Sequence, residues 1–188
     1  MKLSNKFQEA LAYAFELHRE QERTGSGVPY VAHLLGVSSL ALEHGADEEM
    51  AIAALLHDSA EDQGGEETLK AIELRFGERV AKIVRACTDA TEQPKPPWRE
   101  RKMRYLEHLR DAASDVQLVA ACDKLYNLRC IVNDYRALGE PLWQRFTGGR
   151  AGVLWYYHEL CSAFTSTDAV AAELARTYAQ LEALADNP

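Results

Sequence analysis

Residues 57–62 read H-D-S-A-E-D and place one imidazole and three carboxylates at the end of an apolar stretch. The stretch begins with an aspartate suited to cap a helix and then stays apolar for about two turns. In a continuing helix, residues four apart share a face, so His57 lies above Glu61 and Asp58 above Asp62. Because so much negative charge is costly at the C-terminal end of a buried helix, the run predicts a divalent metal site.

Two other segments offer matching side chains. His33 follows a proline-defined turn, in the opening of a new apolar helix. Asp123 lies inside the apolar run 116–128, where an unpartnered carboxylate would be expensive, and Asn127 is placed four residues further on the same face. His33, His57, Asp58 and Asp123 together form a mixed nitrogen and oxygen set that suits Mn, Fe or Zn.

A simpler interpretation of the same run needs no metal. Glu61 and Asp62 would be solvated where the helix ends at the glycine pair 64–65, and His57 would be an ordinary core histidine. The segments carrying His33 and Asp123 favour the metal site, because each supplies a further ligand type from a separate apolar helix.

These residues must be positioned by helices, because helical periodicity runs through almost the whole chain. It predicts helices over 4–21, 30–44, 47–61, 66–76, 78–88, 98–111, 115–133, 141–162 and 168–185. Glycine and proline punctuate the pattern, with residues 93–97 as the clearest internal loop, and no run alternates as a strand does. We therefore predict an all-α fold, a single helical domain over residues 1–188 with short connections.

The motifs also resemble a known family. The order of a histidine, a His-Asp pair and a distant aspartate is similar to that of HD-domain metal phosphohydrolases. Five stretches narrow the resemblance to the hydrolase domain of the RelA/SpoT family, over about residues 7–160; they are 18–23, 29–33, 56–62, Phe76-Gly77 and 123–128. The resemblance implies a single HD-domain helical bundle and a stand-alone small alarmone hydrolase of the stringent response.

The resemblance implies roles for individual residues. The metal ligands would be His33, His57, Asp58 and Asp123, normally for Mn2+, with Glu61 and Asp62 positioning and activating the attacking water. The nucleotide-binding residues would be Arg23 on the guanine base, Asn127 beside the nucleotide, Lys102 facing the phosphates, and Arg150 with Tyr157 as a late basic and aromatic pair. The implied reaction is hydrolysis of guanosine tetraphosphate or pentaphosphate at the 3′ position, giving pyrophosphate and GDP or GTP.

Three positions depart from the family pattern and leave other functions open. Leu34 follows the first histidine where many members have proline, Thr24 replaces a second basic residue, and Cys130 stands where threonine is common. A second hypothesis therefore keeps the metal site and assigns another substrate, either a nucleoside mono- or triphosphate or NADPH. A third is a module that binds a nucleotide without turning it over.

Composition limits the partners. A formal net charge of -8 argues against sequence-independent binding of nucleic acid, which needs a basic surface. A polyanionic substrate would need a local basic patch, for which residues 98–104, with four basic residues and one acid, are the candidate, although a solvated helix face has the same pattern. Trp155, Tyr156 and Tyr157 are typical of core packing and also suit base stacking.

The chain carries no pattern of export or membrane insertion. Its N-terminal residues have helical amphipathic spacing, and no apolar run approaches the ~18 residues that a membrane span requires. The four cysteines lack a paired Cys-x-x-Cys spacing, which fits a reduced compartment. We expect a cytoplasmic protein that binds a guanine nucleotide and contacts neither membrane nor nucleic acid; a homo-oligomer is possible.

Overall fold

The structure is a computed structural model that describes residues 2–88, 96–165 and 167–186. Its helices are α1 Asn5–Leu17, α2 Val31–Glu43, α3 Glu48–Leu56, α4 Ser59–Asp62, α5 Gly65–Phe76, α6 Glu78–Cys87, α7 Trp98–Arg110, α8 Ser114–Leu138, a 3-10 helix Glu140–Arg145, α9 Gly149–Ala163 and α10 Asp168–Asp186. The described residues include no strand, only an isolated antiparallel bridge between Glu22 and Pro29. The predicted all-α fold is confirmed.

Helix α3 forms the centre of the bundle. Residues 51–56 are fully buried, and the helix packs against α1, α2, α6 and α8. Its start is fixed by Asp47, whose carboxylate accepts a hydrogen bond from the backbone N–H of Met50 at 2.9 Å. Because this short helix is enclosed on several sides, the residues that follow it begin in the interior of the protein.

The long helix α8 packs against α2, and the two helices approach closely at Gly36. Gly36 of α2 faces the ring of Tyr126, and a Cβ built at Gly36 would lie 1.9 Å from Cε2 of that ring. The Tyr126 hydroxyl also donates to the carbonyl of Ala32 at 3.2 Å. The missing side chain at Gly36 therefore lets α2 approach α8 next to His33.

Two predicted helices are divided in the structure. The predicted helix 47–61 becomes α3 and α4, interrupted at His57 and Asp58, and the predicted helix 141–162 becomes the 3-10 helix and α9. The backbone stays in the right-handed helical region at both His57 and Asp58, and Nε2 of His57 lies 3.0 Å from an Asp58 oxygen. Helix α8 continues to Leu138, five residues beyond the predicted end at 133.

The predicted loop 93–97 lies partly outside the described residues, which resume at residue 96. No helix within the described ranges combines the length and apolar character needed to cross a membrane.

Candidate metal and nucleotide site

The four predicted metal ligands come from three separate parts of the bundle and meet at one point. His33 lies on α2, His57 and Asp58 form the junction of α3 and α4, and Asp123 lies on α8. The Nε2 atom of His33 is 3.2 Å from Nε2 of His57, 3.2 Å from an Asp58 oxygen and 3.3 Å from an Asp123 oxygen. Nε2 of His57 is 3.0 Å and 3.5 Å from the same two carboxylate oxygens.

These separations fit a first-row divalent cation for His33, His57 and Asp58, whose ligand atoms all lie within 4.8 Å of one another, and Asp123 lies beside both histidines. Metal–ligand bonds of about 2.1 Å place neighbouring ligand atoms about 3.0 Å apart at right angles and about 3.4 Å apart in a tetrahedron. The Nδ1–H group of His57 donates to the carbonyl of Ala54 at 2.8 Å, so Nε2 of a neutral His57 turns its lone pair toward the other ligands. Two imidazole lone pairs facing each other and two carboxylates repel unless a cation or a proton lies between them.

Charge coupling within the cluster is strong. Burial alone would lower the pKa of His57, but the carboxylates of Asp58 and Asp123 outweigh it and hold that pKa well above its ordinary value. Burial alone would raise the pKa of both aspartates, yet the pKa of each lies well below its ordinary value. For Asp58 the main opposing influence is His57, and for Asp123 it is Lys124 followed by His57. Without a metal, these pKa values favour a protonated His57 beside two ionised aspartates, so a proton supplies the positive charge that a cation would otherwise bring.

Three side chains brace the ligand carboxylates. Tyr30 donates its hydroxyl to Asp58 at 2.6 Å, and Asn127 donates its amide to Asp123 at 2.6 Å. The ammonium group of Lys124 lies 2.5 Å from the other oxygen of Asp123. Such bonds orient a ligand carboxylate and occupy its remaining lone pairs.

The predicted catalytic pair lies directly beyond the ligands. Glu61 and Asp62 occupy the single turn of α4, which begins immediately after Asp58. Asp62 accepts a hydrogen bond from the side-chain amide of Gln21 at 2.8 Å. Partial burial raises the pKa of Asp62, with the charges of Asp58 and Glu61 acting in the same direction and Gln21 opposing them.

A cavity of about 420 Å³ opens beside the ligand cluster. Arg23, Lys102, Asn127 and Tyr157 lie on its wall, so the structure brings together four of the five predicted nucleotide-binding residues. Within this wall Arg23 donates to the Asn127 carbonyl oxygen at 2.8 Å.

The fifth predicted nucleotide-binding residue faces elsewhere. The Arg150 guanidinium donates to the carbonyl of Ala185 at 2.6 Å and contacts the Asp186 carboxylate at 3.1 Å, both at the end of α10. The structure therefore uses Arg150 to hold α9 against α10 and does not bring it to the cavity wall.

The basic segment 98–104 is divided between several roles. Arg99 lies 3.9 Å from the ring centre of Trp155, Arg101 donates to the carbonyl of Pro96, and Arg104 pairs with Glu100 on α7. Lys102 is the basic residue of this segment that lines the cavity, with its ammonium 5.1 Å from the ring centre of Tyr156. Only part of the predicted patch thus faces the cavity.

Sequence reasoning gave no role to three of these side chains. Tyr30 and Lys124 were visible beside predicted ligands, within the motifs P-Y-V-A-H and D-K-L-Y-N, and a hydroxyl or ammonium next to a buried carboxylate was the available signal. Gln21 has no comparable signal, because it meets Asp62 across 41 residues of chain.

An all-helical bundle that gathers two histidines and two aspartates at one buried point defines a class of metal-site proteins. The family model described as HD domain matches residues 10–154, and the chain belongs to this HD-domain family. Within it, the chain is similar to proteins named guanosine-3′,5′-bis(diphosphate) 3′-pyrophosphohydrolase MESH1. The Xenopus tropicalis protein is 40% identical over 124 residues, which cover 64% of this chain and 66% of that protein.

Two further similarities extend this comparison. The Drosophila melanogaster MESH1 protein is 36% identical over 129 residues, covering 67% of this chain and 69% of the relative. A solved structure of a metazoan ortholog of SpoT, described as hydrolyzing ppGpp and acting in starvation responses, superposes with a TM-score of 0.81 at 28% identity. That superposition covers 96% of this chain and 98% of the other, whereas the alignment with the Xenopus protein spans just under two thirds of its length.

Proposed function

We propose that this protein is a metal-dependent phosphohydrolase that converts guanosine tetraphosphate or pentaphosphate to GDP or GTP and pyrophosphate. One observation carries the proposal: Tyr30, Lys124 and Asn127 each contact a ligand carboxylate and also line the cavity. A nucleotide bound in the cavity would therefore present a phosphate group to the metal site. The names of the MESH1 and SpoT relatives support the choice of substrate.

The four ligand residues would hold the cation, and we propose Mn2+, with Fe or Zn as alternatives for the same donor set. When bound, a divalent ion supplies Lewis-acid chemistry, lowering the pKa of water and offsetting negative charge on phosphate oxygens. His33, His57, Asp58 and Asp123 fix the position of that charge, and the bracing bonds to the two aspartates keep the donor atoms in place.

The side chains that act on the attacking water are Glu61 and Asp62 of α4. A water oxygen forms a bond to the phosphorus attached to the 3′ oxygen, and the bond from that phosphorus to the 3′ oxygen breaks. Glu61 or Asp62 accepts the proton that the water loses, and the 3′ oxygen takes up a proton from solvent as GDP or GTP leaves. The partial desolvation that raises the pKa of Asp62 makes its carboxylate a stronger base than an ordinary aspartate.

The cavity supplies the nucleotide contacts. We assign Arg23 to the face of the guanine base, Asn127 and Tyr157 to the adjoining wall, and Lys102 to the phosphates. The Arg23 guanidinium is held by Asn127 and lies 5.9 Å from the ring centre of Tyr126, so its planar face is oriented before a base arrives. We leave Arg150 out of this set because α10 occupies its guanidinium.

A second substrate class is favoured by one observation. Thr24 and Cys130, two of the three departures from the family pattern, both line the cavity. Changes at the wall alter which nucleotide fits without touching the ligands, so NADPH and nucleoside mono- or triphosphates are included as competing substrates.

The first experiment incubates the purified protein with Mn2+ and guanosine tetraphosphate, alongside NADPH and a nucleotide panel, and separates the products by anion exchange. Equal amounts of GDP and pyrophosphate, lost on chelation, are expected. Hydrolysis of another panel member alone would replace the substrate and keep the metal site. No turnover would favour a binding module.

A double variant tests the catalytic pair. Glu61→Gln with Asp62→Asn removes both candidate bases while retaining side-chain size, so turnover should be abolished and bound metal, measured by elemental analysis, should stay equal to that of the wild type. Unaltered activity would contradict the assignment.

We also propose that residues 1–188 form one hydrolase domain. Helix α10 lies beyond the matched residues 10–154 yet packs along α8 and against α9. A cytoplasmic location fits the cysteines, which are free in the structure, because a reducing compartment keeps thiols in that state.

A further inference from the structure

The segment after α1 forms a hydrogen-bonded network that reaches the catalytic pair. The side chain of Gln21 donates to Asp62 at 2.8 Å through its amide nitrogen, and its carbonyl oxygen lies 2.6 Å from Nδ1 of His18. The amide of Gln63 donates to the same carbonyl oxygen at 2.8 Å. Nε2 of His18 lies 3.3 Å from the hydroxyl of Ser59, the first residue of α4.

The direction of each bond in this network is determined. A carboxylate only accepts, so Gln21 must turn its amide N–H toward Asp62 and its carbonyl toward His18. A carbonyl also only accepts, so Nδ1 of His18 carries the proton, and its Nε2 accepts from the Ser59 hydroxyl. Burial lowers the pKa of His18, which keeps the imidazole neutral in this tautomer.

The network is also joined to the metal side of the site. His18 is 2% exposed and stacks on Tyr30, with ring centres 5.2 Å apart and planes 19° apart. Tyr30 donates to Asp58, the ligand at the start of α4. His18 is therefore linked to both ends of α4. It reaches Asp62, at the C-terminal end, through Gln21, and it reaches Asp58, at the N-terminal end, through Tyr30.

We propose that Gln21 is a positioning residue for Asp62 and that His18, as its Nδ1–H tautomer, holds Gln21 in place. This inference rests on the proposed function, in which Asp62 either accepts a proton from the attacking water or orients that water. With one carboxylate oxygen bound to Gln21, the other is left for the water in a fixed direction. The reaction rate is sensitive to the position of such a group, since a displacement of about 1 Å can reduce the rate by about 100-fold.

The kinetics of three variants and one control test the positioning role. The substrate is guanosine tetraphosphate, or whichever panel ester the wild type hydrolyses. Gln21→Leu should lower kcat by between about 10- and 100-fold, with KM and metal content near the wild-type values, because the lost bond orients the water-handling group. His18→Phe keeps the stacking ring but not the donor, and should lower kcat similarly. His18→Asn places an amide N–H near the former Nδ1 and should restore most of the rate.

The matched control is Glu20→Gln, an exposed neighbour of Gln21 whose change alters local charge and leaves the network intact. It should keep the wild-type kcat. Equal rates for His18→Phe and His18→Asn, or a Gln21→Leu effect confined to KM, would overturn the positioning role while leaving the hydrolase function established. No turnover of any ester by the wild type would overturn both proposals.

A spectroscopic measurement is independent of activity. Long-range ¹H–¹⁵N correlation spectra of histidine rings, recorded with chelator and with Mg2+ as a diamagnetic substitute ion, report which ring nitrogen carries the proton. We expect His18 to be protonated at Nδ1, with the side-chain amide signals of Gln21 shifting in His18→Phe and not in Glu20→Gln. A His18 ring protonated at Nε2 alone would reverse the Gln21 amide and defeat the proposal.

Discussion

Lys124 is the charged side chain that the ligand Asp123 contacts from the cavity side. Its side chain is only 15% exposed, and its ammonium lies 2.5 Å from the carboxylate. The negative charge of Asp123 outweighs the effect of burial and holds the pKa of Lys124 well above its ordinary value. The pair therefore stays ionised, and each charge depends on the other in the interior.

Removing Lys124 should expose this dependence. Lys124→Met removes the larger of the two positive influences on Asp123 and leaves His57 as the other, so the free energy of unfolding in chelator should fall by about 3 kcal/mol. Added Mn2+ should recover much of that loss, because it supplies positive charge at the same carboxylate. Urea titrations with and without metal measure both quantities.

Lys82→Met is the control for this change, because the Lys82–Glu78 pair on α6 is exposed. It should have a much smaller effect in either condition. A loss for Lys124→Met that metal does not reduce would show that the lysine acts through packing alone.

The pKa of His57 predicts how pH affects the cluster. Its folded-state pKa is raised well above 6.5, so its contribution to the stability of the metal-free protein is present below pH 6.5 and lost as pH rises through the raised value. The aspartate pKa values are lowered, so their contribution is lost only in acid, as pH falls through those values. The metal-free protein should thus lose stability on the alkaline side, where metal replaces the proton.

Thermal unfolding over a pH series, with Mn2+ or with chelator, measures this exchange. The increase in Tm caused by metal should grow as pH rises through the His57 pKa, because the proton no longer competes. A His57→Ala variant should lose this dependence. A metal-induced increase that does not vary with pH would contradict the coupling.

At the scale of the helices, the approach of α2 to α8 sets the distance between His33 and Asp123. Gly36→Ala puts a methyl group into the ring of Tyr126, and overpacking of this kind costs about 1–3 kcal/mol. Helix α2 should shift, so we expect weaker metal binding as well as a lower free energy of unfolding. Metal titration followed by calorimetry, with urea unfolding in parallel, measures the two effects.

A second substitution separates the two effects. Tyr126→Leu in the Gly36→Ala background removes the ring and should restore metal affinity more than stability, because the smaller side chain leaves a packing defect. Ser39→Ala, on an exposed part of α2, is the control and should leave metal affinity unchanged. Failure of Tyr126→Leu to recover affinity would place the cause outside this contact.

The elements show what a sequence can and cannot predict. Helices α5, α6 and α7 lie within one residue of their predicted bounds, because apolar spacing and glycine or proline boundaries are local signals. The interruption at His57 and Asp58 was missed because the residues around it have good helical patterning and both keep right-handed helical backbone angles. Contacts such as Gly36–Tyr126 and Gln21–Asp62 join residues far apart in the chain, which periodicity does not encode.

At the scale of the molecule, Arg150 fastens α9 to the end of α10, where its positive charge also complements the helix C-terminus. Arg150→Met should lower the free energy of unfolding by about 1 kcal/mol while KM for the nucleotide stays at the wild-type value. Unfolding curves and steady-state kinetics on one preparation decide whether Arg150 holds α9 against α10 or contacts the nucleotide. A raised KM with unchanged stability would restore the nucleotide contact that the family resemblance implies.

The ligands come from segments that are distant along the chain and neighbours only in the folded bundle. A bound cation would therefore act as a removable cross-link that ties α2, the α3–α4 junction and α8 together. With the ion bound, separating these segments would also break metal–ligand bonds, so chelation should speed their local opening. Amide hydrogen exchange in α2, α3 and α8, with and without metal, measures that change.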